Sequence, residues 1–300
     1  MGMKPAVVSS VGDIAAELVR ESKLSRVLLE DLQAGLQPLV RDRRGRDLLA
    51  QSLIEALRNP RDGIALARQL VAPYRAKFWE QFQARGLVVF ERIRAEVEES
   101  RAQVPRGEPL ACFDWGTGKG RYPEMLRRSV PGCEAIGGDI LDYRDAKDVP
   151  FLLIRNNKVP QLQDESQQVV LLSFVLHHER YPEKIINELG RIVASAGRVV
   201  VLENSPSGDN AAERELGRKR LLFADLLHTV VWQDVDMPMP GTYKQTVEWK
   251  AEFEQAGFEL IKSEAFEGTP LLRGNRQFMV FEKGGGGLSR LRMPHAGGWR

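Results

Sequence analysis

The stretch from Leu110 to Glu203 constrains the fold more than any other part of the chain. Short apolar runs alternate there with segments of helical period. Leu110 to Asp114 reads as a strand, Tyr122 to Ser129 as a helix, Glu134 to Asp139 and Pro150 to Arg155 as the next two strands. Val169 to Phe174 is a fourth, Pro182 to Ala194 a helix closed by Ser195-Ala196-Gly197, and Arg198 to Glu203 a fifth strand. Such alternation predicts an α/β chain whose mostly parallel sheet carries helices on both faces. The nearly unbroken apolar run at Val169 to Phe174 suits a central strand covered on both sides. Phe258 to Phe266 and Gln277 to Glu282 read as a closing antiparallel pair, which brings the sheet to seven strands.

The first hundred residues are helical in pattern. Ser10-Val-Gly-Asp13 has the form of a capping box, with Val11, Ile14, Ala15, Leu18 and Val19 at helical spacing behind it. A further helix carries Leu49, Leu53, Ala56 and Leu57 and ends near Asn59-Pro60. Another starts after Asp62-Gly63 and breaks around Pro73. A long helix then turns Tyr74, Phe78, Phe82, Val89, Phe90, Ile93 and Val97 inward. Residues 1–106 therefore read as a helical cap or dimerisation region, and 107–283 as the α/β domain, with an insertion at 205–250. The glycine-rich tail, 284–300, lacks apolar periodicity and reads as disordered.

The chemistry is concentrated in Phe113-Asp114-Trp115-Gly116-Thr117-Gly118-Lys119-Gly120. A strand ends at Asp114, a glycine-rich turn follows, and a helix opens at about Arg121. The open helix end offers unpaired N–H groups at the position where doubly wound folds bind nucleoside cofactors. The spacing is not the dinucleotide G-x-G-x-x-G, because Gly116, Gly118 and Gly120 lie two apart. Nor is it a P-loop, since no Ser or Thr follows the lysine. A carboxylate at Asp114 serves a pyrophosphate poorly and suits the ammonium of an amino acid. A second acid, Asp139, closes the next strand 19 residues after Gly120, close to the ~20 expected for a carboxylate that takes ribose hydroxyls.

Asp114-Trp-Gly-Thr-Gly-Lys-Gly120 resembles motif I of the class I S-adenosylmethionine-dependent methyltransferases, and Asp139 matches that family's ribose-binding acid. Leu176-His177-His178, the helix from Pro182 and the turn at Gly197 are similar to its fourth-strand loop, next helix and turn into strand five. Thr246-Val-Glu-Trp249, running on to Ala256-Gly257-Phe258, is similar to its late helix. The resemblance spans about residues 110–283. It implies a Rossmann-like, doubly wound, mostly parallel seven-stranded sheet with S-adenosyl-L-methionine as cofactor. The residues implied to hold it are Asp114, Gly116, Thr117, Gly118, Gly120, Asp139, Ile140, Asn156 and Phe174. Two departures stand out. Arg155-Asn156-Asn157 replaces the acid common near the adenine, and Gln167-Gln168 replaces the Phe-Asp before strand four.

A sulfonium methyl is already activated, so alignment and exclusion of water carry much of such a reaction. A neutral hydroxyl acceptor still benefits from a base. His177, His178, Glu203 and His228 are the groups within reach of the cleft, and His178, Glu203 and His228 are taken as the catalytic candidates. The insertion, with Trp232, Met237 and Met239, reads as a lid over the acceptor pocket.

A formal net charge of +2 gives no basic excess for nucleic acid, and the mixed-charge run at Arg41 to Asp47 reads as a solvated turn. No apolar run approaches the ~20 residues of a membrane span. Cys112 and Cys133 form neither a disulfide framework nor a zinc pattern, so no metal is expected and a reducing, cytoplasmic setting fits. The expected acceptor is a small organic molecule methylated on O, N or C. A protein- or RNA-directed methyltransferase and a non-catalytic cofactor-binding subunit are the alternatives.

Overall fold

The computed structural model describes residues 10–235, 237–267 and 275–284. The tail read as disordered lies outside these residues from 285 onward. Four helices open the chain: α1 (Val11–Arg20), α2 (Ser22–Leu36), α3 (Arg43–Leu57) and α4 (Gly63–Val71). A 3-10 turn at Ala72–Tyr74 carries Pro73 and leads into the long α5 (Arg75–Gln103). The capping box at α1 forms as its residues predict. Ser10 Oγ accepts from the Asp13 amide, and the Asp13 carboxylate accepts from the Ser10 amide. The basic run belongs to the first turns of α3, where the Asp42 side chain caps the helix by accepting from the Gly45 amide at 2.6 Å. Helix α2, which carries Leu24, Leu28, Leu32 and Leu36 buried, has an apolar stripe that the sequence reading passed over.

The α/β part follows as β1 (Leu110–Trp115), α6 (Arg121–Ser129), β2 (Cys133–Asp139), β3 (Phe151–Leu153) and β4 (Gln167–Ser173). It continues with α7 (Pro182–Ile192), β5 (Val193–Ser205), α8 (Ala211–Asp225), α9 (Thr246–Gln255), β6 (Phe258–Glu267) and β7 (Asn275–Lys283). The strand order is β3-β2-β1-β4-β5-β7-β6, parallel from β1 to β5, with β7 antiparallel to both neighbours. The expected Rossmann-like architecture is present. Two boundaries differ. Helix α7 stops at Ile192, because Val193 already pairs with Gln167, and the Ser195–Gly197 turn is absorbed at the start of β5. The third strand shortens to three residues.

Three apolar clusters organise the molecule. On one sheet face, Ile185, Ile186, Leu189, Trp249 and Phe253 from α7 and α9 cover Phe113, Val170, Val199 and Val201. On the other, Val89, Phe90, Ile93 and Val97 of α5, with Leu126 of α6, cover Cys112, Val169, Leu171 and Val200. The third cluster lies off the sheet. It joins α1–α4 and the first turns of α5 to Phe223, Leu226, Leu227, Val230, Val231, Trp232 and Met239 of the insertion. Helix α5 thus serves both layers, and its outer half is fixed electrostatically. The buried Arg198 of β5 lies 2.9 Å from Glu99 and 3.6 Å from Glu96.

The chain runs β1 to β3 toward one edge and then crosses back to β4, so the reversal of strand order falls between β1 and β4. That places the glycine turn and the Ser173–His178 segment side by side at the carboxyl edge, where open α/β sheets bind ligands. The approach is close. A Cβ on Gly116, whose φ is +74°, would meet Val175 Cγ2 at 2.5 Å. In β2 a Cβ on Gly138 would lie 2.4 Å from the ring of Phe113. Gly138→Ala is therefore expected to cost about 1–3 kcal/mol through overpacking. Chemical denaturation should show a lowered midpoint with unchanged slope.

Candidate functional site

The turn after β1 is held by its own acids. Thr117 Oγ1 donates to Asp114 Oδ2 at 2.7 Å, and the Gly118 amide donates to Asp139 Oδ2 at 2.9 Å. Asp139 Oδ1 accepts from the Ile140 amide at 2.7 Å. Both carboxyl groups are buried, and burial raises the pKa of each. For Asp114 the rise reaches about 7, with the nearby Asp139 adding to it against the Thr117 hydrogen bond. Asp114 Oδ1 has no hydrogen-bond partner among the described residues. A buried carboxylate oxygen without a donor costs free energy unless a ligand supplies one, and an amino-acid ammonium is such a donor. The space in front of Gly118 is open, with Tyr143 Oη 3.6 Å from where a Cβ would stand. Ile140, beside Asp139, is 51% exposed, which leaves an apolar surface suited to a nucleobase face. These features fit the S-adenosylmethionine that the motif implies.

Phe174 follows β4 with φ +59°, an unusual conformation for a bulky residue and one found where a site stores strain. The Phe174 amide donates to Leu202 O at 2.8 Å, and Arg276 lies over its ring. Asn156 and Asn157 have φ of +52° and +57° in a turn bridged by Arg155 and Lys158. A tight turn with two positive φ values selects Asn at those positions. The backbone thus accounts for the two amides, and the Asn156 side chain is exposed.

A second cluster stands at the ends of β4 and β5. His177 and Glu203 are each 1% exposed, and His177 Nδ1 lies 2.5 Å from Glu203 Oε2. The other oxygen of Glu203 accepts from the amides of Val175 at 3.0 Å and Leu176 at 2.7 Å. His178 Nδ1 is 3.0 Å from Pro238 O. From the last turn of α8 comes Asp225. Its Oδ2 lies 3.3 Å from His177 Nε2 and 3.4 Å from His178 Nε2. Tyr243 Oη donates to the same oxygen at 3.2 Å, and Thr229 Oγ1 to Oδ1 at 3.1 Å. The Tyr243 ring stacks on His177 with centroids 4.8 Å apart. Burial pulls the pKa of His177 down, but Glu203 and Asp225 outweigh it and push it up to about 10. Burial and the charge of His177 lower that of His178. Burial acts to raise Asp225, and the two imidazoles outweigh it and hold the carboxyl well below the usual carboxylate range.

Of the residues picked out in the sequence, His177, His178 and Glu203 meet in this cluster. His228 stands three residues on from Asp225 and acts on it through its charge. It sits in a π-helical turn, Leu226–Trp232, against Phe78 and Phe82, and hydrogen-bonds with Gln233. Asp225 and Tyr243 were passed over. The signal for Asp225 was present as an acid set in the apolar run Leu221-Leu222-Phe223-Ala224-Asp225-Leu226-Leu227, where a helix face bound for the interior has no use for one. Tyr243 gave no sequence signal.

Residues 113–201 match the family described as Methyltransferase domain. A demethylmenaquinone methyltransferase from Thermus thermophilus is 32% identical over 108 residues, which is 33% of this chain and 49% of that protein. The chain thus spans about half the length of the curated relative it matches. In fold, it is similar to the CurJ carbon methyltransferase at a TM-score of 0.51 and 17% identity, over 88% of this chain and 71% of that one. A structure named for a sarcosine dimethylglycine methyltransferase from Galdieria sulphuraria aligns at 0.50 and 11% identity, over 66% of this chain and 86% of that one. The glycine turn, the two acids and the sheet order agree with the match of residues 113–201 to a methyltransferase domain.

Proposed function

We propose that this protein transfers the methyl group of S-adenosylmethionine to a small organic acceptor, in a reducing, cytoplasmic setting. The observation that carries this is the buried pair Asp114 and Asp139 flanking the glycine turn, one with an oxygen awaiting a donor. In this role Asp114 receives the ammonium end, the turn amides the carboxylate end, Asp139 and Ile140 the ribose and adenine. Thr117 and Gly120 keep the turn in shape. Phe174, and Asn156 on the next loop, complete the rim. The sulfonium supplies an activated methyl group, so the chain's own residues have to align the acceptor and exclude water.

We assign the acceptor to the space between the carboxyl edge of the sheet and the helical layer. That layer, α1–α4 and the first turns of α5 with the insertion as lid, shares one apolar core, which suits a cap better than a free dimer face. Both oxygens of Glu203 are engaged, so we assign it to positioning His177 and the β4 loop. His178, part exposed, is the group nearest the acceptor side, and His228 belongs to the lid. Among the described residues no helix is long and apolar enough to cross a membrane, and the +2 charge gives no field for a polyanion. The relative named for demethylmenaquinone also favours a small acceptor.

Calorimetric titration with S-adenosylmethionine, S-adenosylhomocysteine and NADH tests the assignment. Both adenosyl ligands should bind in the micromolar range, about −8 kcal/mol at 1 μM. Asp139→Ala should weaken them at least tenfold, and NADH should not bind. Folded protein that binds neither adenosyl ligand refutes the proposal. Release of S-adenosylhomocysteine against panels of small molecules, proteins and RNA then identifies the acceptor class, and a wholly silent panel favours the non-catalytic alternative.

A further inference from the structure

The Asp225 cluster has a mismatch of donors and acceptors. His177 Nδ1 faces a carboxylate and His178 Nδ1 a backbone carbonyl, so each Nδ1 is placed to donate its proton. With both rings neutral, that tautomer leaves a lone pair on each Nε2 atom, and both point at the same carboxylate oxygen. Three lone-pair atoms thus converge in a buried place. His177 Nε2 is fully enclosed and makes no hydrogen bond among the described residues. Either a second proton on one ring or a bound cation has to stand between them.

We propose that His177 Nε2, His178 Nε2 and Asp225 Oδ2 bind one divalent first-row transition-metal ion. The three atoms lie within 4.8 Å of one another, with two of the edges at 3.3 and 3.4 Å. An ion about 2.1 Å from each of three N or O donors sets those donors roughly 3.0–3.4 Å apart, so two edges already have the required length. Two imidazoles and one carboxylate with open positions suit zinc, manganese, iron(II) or cobalt, and not calcium or magnesium, which prefer all-oxygen shells. The outer shell is also in place. Metal-bound histidines commonly donate their second N–H to a carboxylate or carbonyl, which fixes ring orientation, and Glu203 and Pro238 O are those acceptors here. Glu203 is in turn held by two amides, and Asp225 by Tyr243 and Thr229.

The consequence for function rests on the methyltransferase assignment above. The cluster follows directly on Val175, which packs against Gly116 of the cofactor turn. His178 is the most accessible of the three ligands. An ion there has its open positions toward the acceptor, and a bound acceptor oxygen would be polarised and lose its proton more readily. The acceptor class this favours carries an oxygen donor, such as a phenol or an enolisable carbonyl.

The test uses the full chain without a histidine tag, stripped of metal and titrated with Co²⁺, Zn²⁺ and Mn²⁺. One ion per chain should bind at micromolar concentration, and Co²⁺ should show visible d–d absorption with nitrogen ligands. Asp225→Asn and His178→Gln should each weaken binding at least a hundredfold. Glu203→Gln should weaken it about ten- to hundredfold through the outer shell. Retained S-adenosylhomocysteine binding in each variant shows that the sheet is folded. If Asp225→Asn does not fold, His178→Gln at the accessible ring carries the result. Wild-type protein that binds S-adenosylhomocysteine but takes up no stoichiometric metal overturns the site and leaves the methyltransferase assignment standing. Equal uptake by the variants overturns it too, as does a nuclear magnetic resonance signature of an imidazolium at His177 that persists with metal in excess.

Discussion

Asp114→Asn is expected to make the unliganded protein more stable and its cofactor binding weaker. Both effects come from one buried carboxyl group. Burial pushes the Asp114 pKa up to about 7, from an ordinary value of 3.8, so the folded state holds a proton that the unfolded chain has released. Between those values the native state binds more protons than the unfolded one. Stability therefore falls as pH rises through the window, by up to about 1.4 kcal/mol per pH unit, and levels off above about 7. An amide in the same place carries no charge and can still accept from Thr117. The variant should lose this pH slope and exceed the parent's stability at pH 8. The ligand ammonium reverses the balance, because it pairs with the ionised carboxylate. A charged hydrogen bond of about 1.5–3 kcal/mol corresponds to roughly ten- to hundredfold in affinity. S-Adenosylhomocysteine binding by the parent should strengthen up to tenfold per unit from pH 5.5 to 7 and then flatten, while Asp114→Asn should bind weakly at every pH. Parallel slopes in the two proteins would show that Asp114 does not receive the ammonium.

The glycine turn and its two acids were legible in the sequence because their geometry is local. Asp114, the glycines and Asp139 lie within one strand–helix–strand unit, where spacing along the chain fixes position in space. The succession of strands and helices along the chain was legible for the same reason, through alternation of apolar runs. What the sequence hid depends on contacts between distant segments. Asp225 reaches His177 and His178 from the far end of α8, and Tyr243 reaches Asp225 from a loop 18 residues further on. Neither distance leaves a periodic trace. Glu203 was found as an acid at a strand end, yet its role follows from the two amides and the imidazole that occupy it. Asn156 carries a second constraint beside the expected ligand contact, since a turn with two positive φ values also selects an amide there.

The same dependence on distant packing makes Trp232 the residue whose loss should cost most. It is 1% exposed and stacks on Phe78 of α5 with centroids 4.8 Å apart and planes 12° from parallel. It ends the π-helical turn whose carbonyls are taken up by the first layer. Arg68 of α4 donates to Val230 O at 2.9 Å, and Arg75 of α5 to Val231 O at 3.3 Å. Trp232→Ala would empty the centre of this junction, and buried Trp or Phe to Ala changes cost about 3–5 kcal/mol. Trp232→Phe should cost less than Trp232→Ala, because it empties less of the site. The smaller ring keeps the stack, and it removes a buried indole N–H that has no partner among the described residues. Asp225 immediately precedes the turn, so its aim at the two histidines depends on this packing, whereas Asp114 and Asp139 stand on the sheet. Trp232→Ala should therefore bind S-adenosylhomocysteine within about threefold of the parent while losing metal uptake and acceptor turnover. Circular dichroism during denaturation gives the stability, and calorimetry the binding. Loss of S-adenosylhomocysteine binding in a variant that remains folded would show that the helical layer shapes the cofactor cradle as well as covering the acceptor.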